Sequence, residues 1–216
     1  MAINWVNQGN ASNDADNFET IYGVATASIA RQLVSRAISD WNAVIRDFNY
    51  DGDNDPATDN TYSLQVFAGG FPFSLRGLTD ISATTTTGLP TAGSIVMDDD
   101  GGGTGGWFFD QTPLDDAEFT AVANSLEDGT GDAFQASFID VTTGGTKYHD
   151  FYRTIVHEIG HAVGIYLSSA PGLDRLFNMT TDIGDDPNSN TLADRLRTFN
   201  GSNGTVTLVT NGGGHI

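Results

Sequence analysis

An α+β domain is the fold class the sequence predicts, and three observations carry the prediction. Over residues 25–48, Ile29, Leu33, Ala37, Trp41, Ile45 and Phe48 recur at spacings of three and four, which builds one apolar face of a long helix. Residues 61–68 alternate instead, with Tyr62, Leu64, Val66 and Ala68 on one side, as a strand with one wet face does. A second amphipathic helix is expected over 150–164, with Phe151, Ile155, Ile159 and Ala162 on its apolar face.

The remaining elements follow in chain order. Between the long helix and the alternating strand lies a polar segment, Asp51 to Asp59. Residues 74–84 and 93–97 carry shorter strand signals, and the glycine-rich acidic run 98–106 must be a loop. Thr112-Pro113 reads as a helix start, with Thr as cap and Pro at the first helical position, and the helix runs to about Glu127 with Phe119, Val122 and Leu126 on its face. Residues 133–141 read as a strand. After Gly164 the chain is irregular, with a short helix expected at 191–199 and a strand at 205–210. No internal repeat and no long linker interrupts residues 1–216, so a single domain is expected.

Composition narrows the function classes. Nine Lys and Arg against 28 Asp and Glu give a net charge of −19. Such a surface repels phosphate backbones and anionic lipid, so neither nucleic acid nor a membrane is expected as partner. The acidity suits a secreted protein, a salt-adapted one or a calcium binder. The chain has no cysteine, which excludes disulfides, thiolate-held metals and thiol catalysis. No run approaches the roughly 18 apolar residues of a membrane span. Residues Met1 to Asn10 have neither the charged start nor the apolar core of a signal peptide, so either the protein is cytoplasmic or, as a secreted protein would require, its export signal lies outside this chain. The stop at Gly212-Gly213-Gly214-His215-Ile216, directly after an alternating apolar run, points to truncation of a longer parent.

The chemistry concentrates in His157-Glu158-Ile159-Gly160-His161, which fits H-E-x-x-H. Residues four apart share a helix face, so both imidazoles can reach one metal. Zinc accepts neutral imidazole nitrogen and keeps an open position for water, which loses a proton near neutral pH. Glu158, one residue past the first imidazole, stands beside such a metal and can take that proton as general base. The competing reading is an accidental pair of helical histidines. Only four histidines occur in the chain, and two of them fall in this pattern on an amphipathic helix.

The longer run HEIGHAVGIYLSS resembles the active-site helix of the metzincins, and among them the matrixins, whose pattern is H-E-x-x-H-x-x-G-x-x-H. Gly164 stands at the glycine of that pattern, where the helix ends in a left-handed turn that only glycine enters at little steric cost. A long backing helix, an alternating strand and the stretches GSIVMDDD and WFFD follow the order of a matrixin domain. The resemblance covers about half the chain and is specific at residues 157–165. It implies a zincin-like catalytic domain, a twisted mixed sheet with a backing helix and an active-site helix. It also implies a secreted, monomeric zinc endopeptidase acting on protein or peptide substrates.

The sequence departs from the family at Leu167, where the third histidine of the pattern should stand and where leucine cannot bind zinc. No glutamate follows Glu158, so the downstream-glutamate arrangement is closed. Three alternatives stay open: His215 after the glycine tip, an aspartate among Asp174, Asp182, Asp185 and Asp186, or no third protein ligand. His149 lies eight residues before His157, about 12 Å along a helix, and is expected to be an exposed residue near the helix start. Met179, in Phe177-Asn178-Met179, falls near the spacing of the methionine turn that metzincins set beneath the metal, against the alternative of a core-filling side chain.

Asp51, Asp53, Asp55 and Asp59 are spaced like the oxygen ligands of a calcium loop. Pro56 and Tyr62 replace the glycine and final glutamate of an EF-hand, so the candidate site is a looser one, weighed against a solvated loop. Asp98 to Asp100 is the second acidic loop. The functions in competition are a zinc endopeptidase, a catalytically silent relative kept as a binding or adhesion module, and a calcium-stabilised surface domain in which the motif is coincidental.

Overall fold

The computed structural model describes residues 2–45, 48, 50–51, 61–71, 75–86, 88–102, 105–113, 138–139, 147–164, 180–182, 196–201 and 204–209. The chain divides into two compact units, 1–120 with 137–163, and 121–136 with 164–216. Among the described residues, no helix is long and apolar enough to cross a membrane.

The first unit is α+β, as expected. It opens with strand β1 (Ala2–Trp5), a short helix α1 (Phe18–Tyr22) and the long helix α2 (Val24–Val44). Strands β2 (Thr61–Ala68), β3 (Gly77–Thr84) and β4 (Pro90–Met97) follow, then the short β5 (Trp107–Phe108), β6 (Phe138–Ile139) and β7 (Lys147–Asp150), and helix α3 (Phe151–Ala162). The main sheet has the order β1-β2-β4-β3, with β1, β2 and β4 parallel and β3 antiparallel at the edge. Parallel neighbours need a long crossover, and α1 and α2 supply it between β1 and β2. Helix α3 packs on α2, β3 and β4. Strands β5, β7 and β6 form a small second sheet.

Periodicity located the main elements closely. Strand β2 spans the residues expected, with Tyr62, Leu64, Val66 and Ala68 buried. The long helix ends at Val44 rather than 48, because Ile45 turns extended. Phe48 still joins the core, stacking on Tyr50 at 5.4 Å between ring centroids and lying 5.8 Å from Tyr62. β1 and α1 had no signal of their own: one is four residues long and the other five. What fixes this N-terminal stretch is long-range. The Asn42 side chain accepts from the Ile3 N–H at 2.9 Å, and the Ala68 N–H donates to the Asp16 carbonyl at 2.9 Å.

The second unit carries β8 (Thr180–Asp182), β9 (Leu196–Gly201) and β10 (Gly204–Val209) in one antiparallel sheet. The strand expected at 205–210 is present one residue earlier. The helix expected at 191–199 is corrected over its described part, since residues 196–199 are strand. Leu192, Leu196 and Phe199 sit at helical spacing, yet β9 pairs on both sides, with β10 and β8. A ladder on both edges satisfies more backbone groups than an isolated short helix, so context overrides the pattern. The helix expected over 112–127 lies outside the described residues from 114 onward, as does the strand at 133–141 apart from β6.

Candidate functional site

Helix α3 is built to be rigid. Phe151, Ile155, Ile159 and Ala162, its expected apolar face, are all 0% exposed. Phe151 sits among Phe18, Tyr22, Trp107 and Phe109 at centroid distances of 5.0–6.2 Å. The Trp41 indole N–H donates to the Val156 carbonyl at 2.9 Å, and its ring lies against Gly160, where an added Cβ would come within 3.2 Å. At the far end the Tyr62 hydroxyl donates to the Ala162 carbonyl at 2.7 Å, satisfying a carbonyl that the helix leaves without an internal partner. Gly164 follows with φ +96°, the positive value expected of the glycine that ends the motif helix.

On this scaffold His157 and His161 stand side by side, half-buried, with ring centroids 4.4 Å apart and planes crossed at 83°. Glu158 is buried beneath β3. Its Oε2 accepts from the Thr79 hydroxyl at 2.6 Å, and the same hydroxyl lies 3.1 Å from the Glu158 carbonyl. The α-carbon of Gly77 faces the same side chain so closely that a Cβ there would fall 2.8 Å from Cγ and 2.9 Å from Cδ and Oε1. The sequence reading missed both contacts. The only local signal was alternation, which places Gly77 and Thr79 on one face of β3 without saying what that face meets.

The helix N-terminus holds a second unusual carboxyl. Asp150 caps α3, its Oδ1 accepting from the Tyr152 N–H at 2.8 Å, while Arg153 lies 3.5 Å from its Oδ2. Burial pushes this carboxyl up to about 6, against the opposing pull of the Tyr152 and Arg153 N–H groups and the Arg153 charge, with Asp110 adding to the rise. The folded value lies above the unfolded one, so the ionised form is the disfavoured form in the native state. The cost is full above pH 6 and is relieved as pH falls from about 6 toward about 4, by up to about 3 kcal/mol. Asp150→Asn keeps the capping oxygen and removes the charge. Thermal unfolding at pH 8 should therefore show a higher melting temperature for this variant than for the wild type, with the gap closing near pH 4. An equal gap at both values would disprove the burial cost.

His149 is in β7, not on the helix, and is half-buried rather than exposed. Burial and the nearby Arg76 charge lower its affinity for a proton. Asp51 is exposed, whereas Asp53, Asp55, Asp59, Leu167, Asp174, Met179, Asp185, Asp186 and His215 lie outside the described residues. Asp182 falls in β8 of the second unit. The acidic loop at 98–100 is a tied turn. Asp98 is buried and accepts N–H bonds from Phe71 at 3.1 Å and Gly102 at 2.7 Å, and its carbonyl accepts from Tyr22 and Trp107. Burial works to raise the Asp98 carboxyl, but its side-chain contact with Asp100 and the backbone N–H groups of Gly102, Phe71 and Asp99 bring it below the usual range. Carboxylate oxygens of Asp98, Asp99 and Asp100 lie within 4.8 Å of one another, the only grouping of three metal-type ligands among the described residues.

No protein-family model, curated protein or solved structure matches the chain.

Proposed function

We propose that the chain is a zincin-like, matrixin-type endopeptidase that hydrolyses peptide bonds with Glu158 as general base. The observation that carries this reading is one rigid helical face on which His157 and His161 stand 4.4 Å apart beside a buried Glu158. The donor set suits zinc, which takes imidazole nitrogen, and the two half-buried rings would supply two of the usual three protein ligands. Zinc held there would provide an acidified water and a positive charge at the scissile carbonyl. Glu158 would take the proton from that water and hand it to the leaving amine. β3 ends the main sheet, and no described strand pairs with its outer edge. An extended peptide laid along that edge would add a strand close to Glu158, since Thr79 of β3 already touches the carboxylate. The reading brings with it an extracellular monomer acting on protein or peptide, with calcium as a second ion at the acidic loops.

Elemental analysis tests the metal half. The wild-type chain should carry about one zinc, and the His157→Ala, His161→Ala double variant only background. Equal zinc in the two would sink the reading, and the same measurement reports any calcium. Leu167 favours a second reading, a silent relative kept as a binding module. A zinc-loaded wild type that leaves a broad fluorogenic peptide pool uncut would decide for it.

A further inference from the structure

Within the hydrolase reading, we propose that Thr79 and Gly77 together form a positioning clamp on the Glu158 carboxylate, with Thr79 tethering one oxygen and Gly77 giving the side chain its seat. A glutamate tip swings through three torsions, and a general base works only when its oxygen is held near the proton it takes. The helix alone cannot hold that tip. β3 does so from across the chain. The Thr79 hydroxyl has a single proton, and at 2.6 Å it goes to Oε2, a length typical of a charge-assisted bond. Threonine is branched at Cβ and stiff at χ1, so the tether is short and rigid. Two residues earlier, on the same face of the strand, Gly77 has no side chain, and the methylene and carboxyl of Glu158 occupy the space a Cβ would fill.

The clamp is itself anchored. Gly77 pairs with Met97 and Thr79 with Ile95 across the β3–β4 ladder, and both partners are 0% exposed in the core. With Oε2 engaged, Oε1 is the oxygen left to take a proton, and it lies with Cγ and Cδ against Gly77. A merely structural bond would satisfy a buried carboxylate and nothing more. A positioning bond must also govern the rate.

The test uses the whole zinc-loaded chain and its Thr79→Val, Thr79→Ser and Gly77→Ala variants on one fluorogenic peptide substrate. Thr79→Val keeps the shape and removes the donor, so kcat should fall about 10- to 100-fold with KM within about twofold. Thr79→Ser restores the hydroxyl and should recover most of that loss. Gly77→Ala leaves the hydroxyl in place but pushes the Glu158 side chain from its seat, so kcat should fall similarly at unchanged zinc content. A second readout needs no turnover: Thr79→Val should lower the melting temperature by several degrees with Glu158 present and by less than half as much in a Glu158→Leu background. Full kcat in Thr79→Val, or equal melting losses in both backgrounds, overturns the clamp. A wild type that binds zinc yet cuts nothing overturns it too and favours the silent relative, whereas a wild type without zinc overturns the metal reading itself. Only loss in Thr79→Val and Gly77→Ala beside an active wild type supports it.

Discussion

Glu158→Ala should lower kcat by about 10²- to 10⁴-fold, the usual weight of a positioned general base, while zinc content stays at the wild-type level. The two halves of that expectation separate the roles within the motif. Glu158 carries no ligand duty in this reading, because its Oε2 is engaged by Thr79 and its side chain is buried under β3. In the same reading the imidazoles of His157 and His161, half-buried and with ring centroids 4.4 Å apart, would be the groups that hold the metal. Loss of zinc together with activity would make Glu158 a ligand or a structural element. Retained activity would remove it from the chemistry. The change also takes a carboxylate out of a buried position, so the alanine variant should be no less stable than one in which only Thr79 is altered. Zinc content by elemental analysis and kcat on one peptide substrate read both quantities from a single preparation.

Arg31→Met is expected to cost about 3–5 kcal/mol of stability, the usual cost of breaking a buried ion pair from one side. Arg31 is 9% exposed and reaches three carboxylates. Its Nε and Nη2 grip both oxygens of Asp16 at 2.8 and 2.7 Å, Nη1 donates to Glu19 at 2.9 Å, and Nη2 also donates to Asp14 at 2.9 Å. Asp16 is 0% exposed and takes further N–H bonds from Gly9 and Phe18. Removing the guanidinium leaves that carboxylate buried without its cation, in a chain with only 9 basic residues against 28 acidic ones. The expected loss corresponds to a fall on the order of 10 °C in melting temperature. Adding Asp16→Asn should recover part of it, because the stranded charge goes with it. A melting shift under about 2 °C for Arg31→Met would show that the network adds little beyond satisfying its own members.

Asp14 belongs to the same network and titrates differently from Asp150. Burial works to raise it, yet the N–H groups of Glu19 and Thr20 and the Thr20 hydroxyl bring it down to about 2. A depressed carboxyl stabilises the fold above its unfolded value of about 4 and loses that contribution as pH falls toward 2. The two carboxyls therefore act in opposite directions on acidification: Asp150 relieves a cost between 6 and 4, and Asp14 withdraws a benefit below that.

What could be read from the chain alone was whatever repeats locally. Helix α3 was legible because Phe151, Ile155, Ile159 and Ala162 follow a helical period, and the same period puts His157 and His161 on one face. Strand β2 was legible from alternation, and Gly164 from the cost of a left-handed turn to any residue with a side chain. Those patterns are enforced within a few residues, so a single sequence displays them. The partners of these elements were not legible. Trp41 meets Val156, Tyr62 meets Ala162 and Thr79 meets Glu158 across about 80 to 115 residues of chain. Nothing in the composition of β3 says that its inner face seats a carboxylate, and nothing near Asp16 says that Arg31 will cover it. Burial and hydrogen bonding choose such pairs only after the sheet and helices have packed, when each buried polar group must find a donor or acceptor. The motif was therefore readable as chemistry in prospect, while the tether that holds its base and the strand nature of residues 196–199 came from packing that no local period encodes.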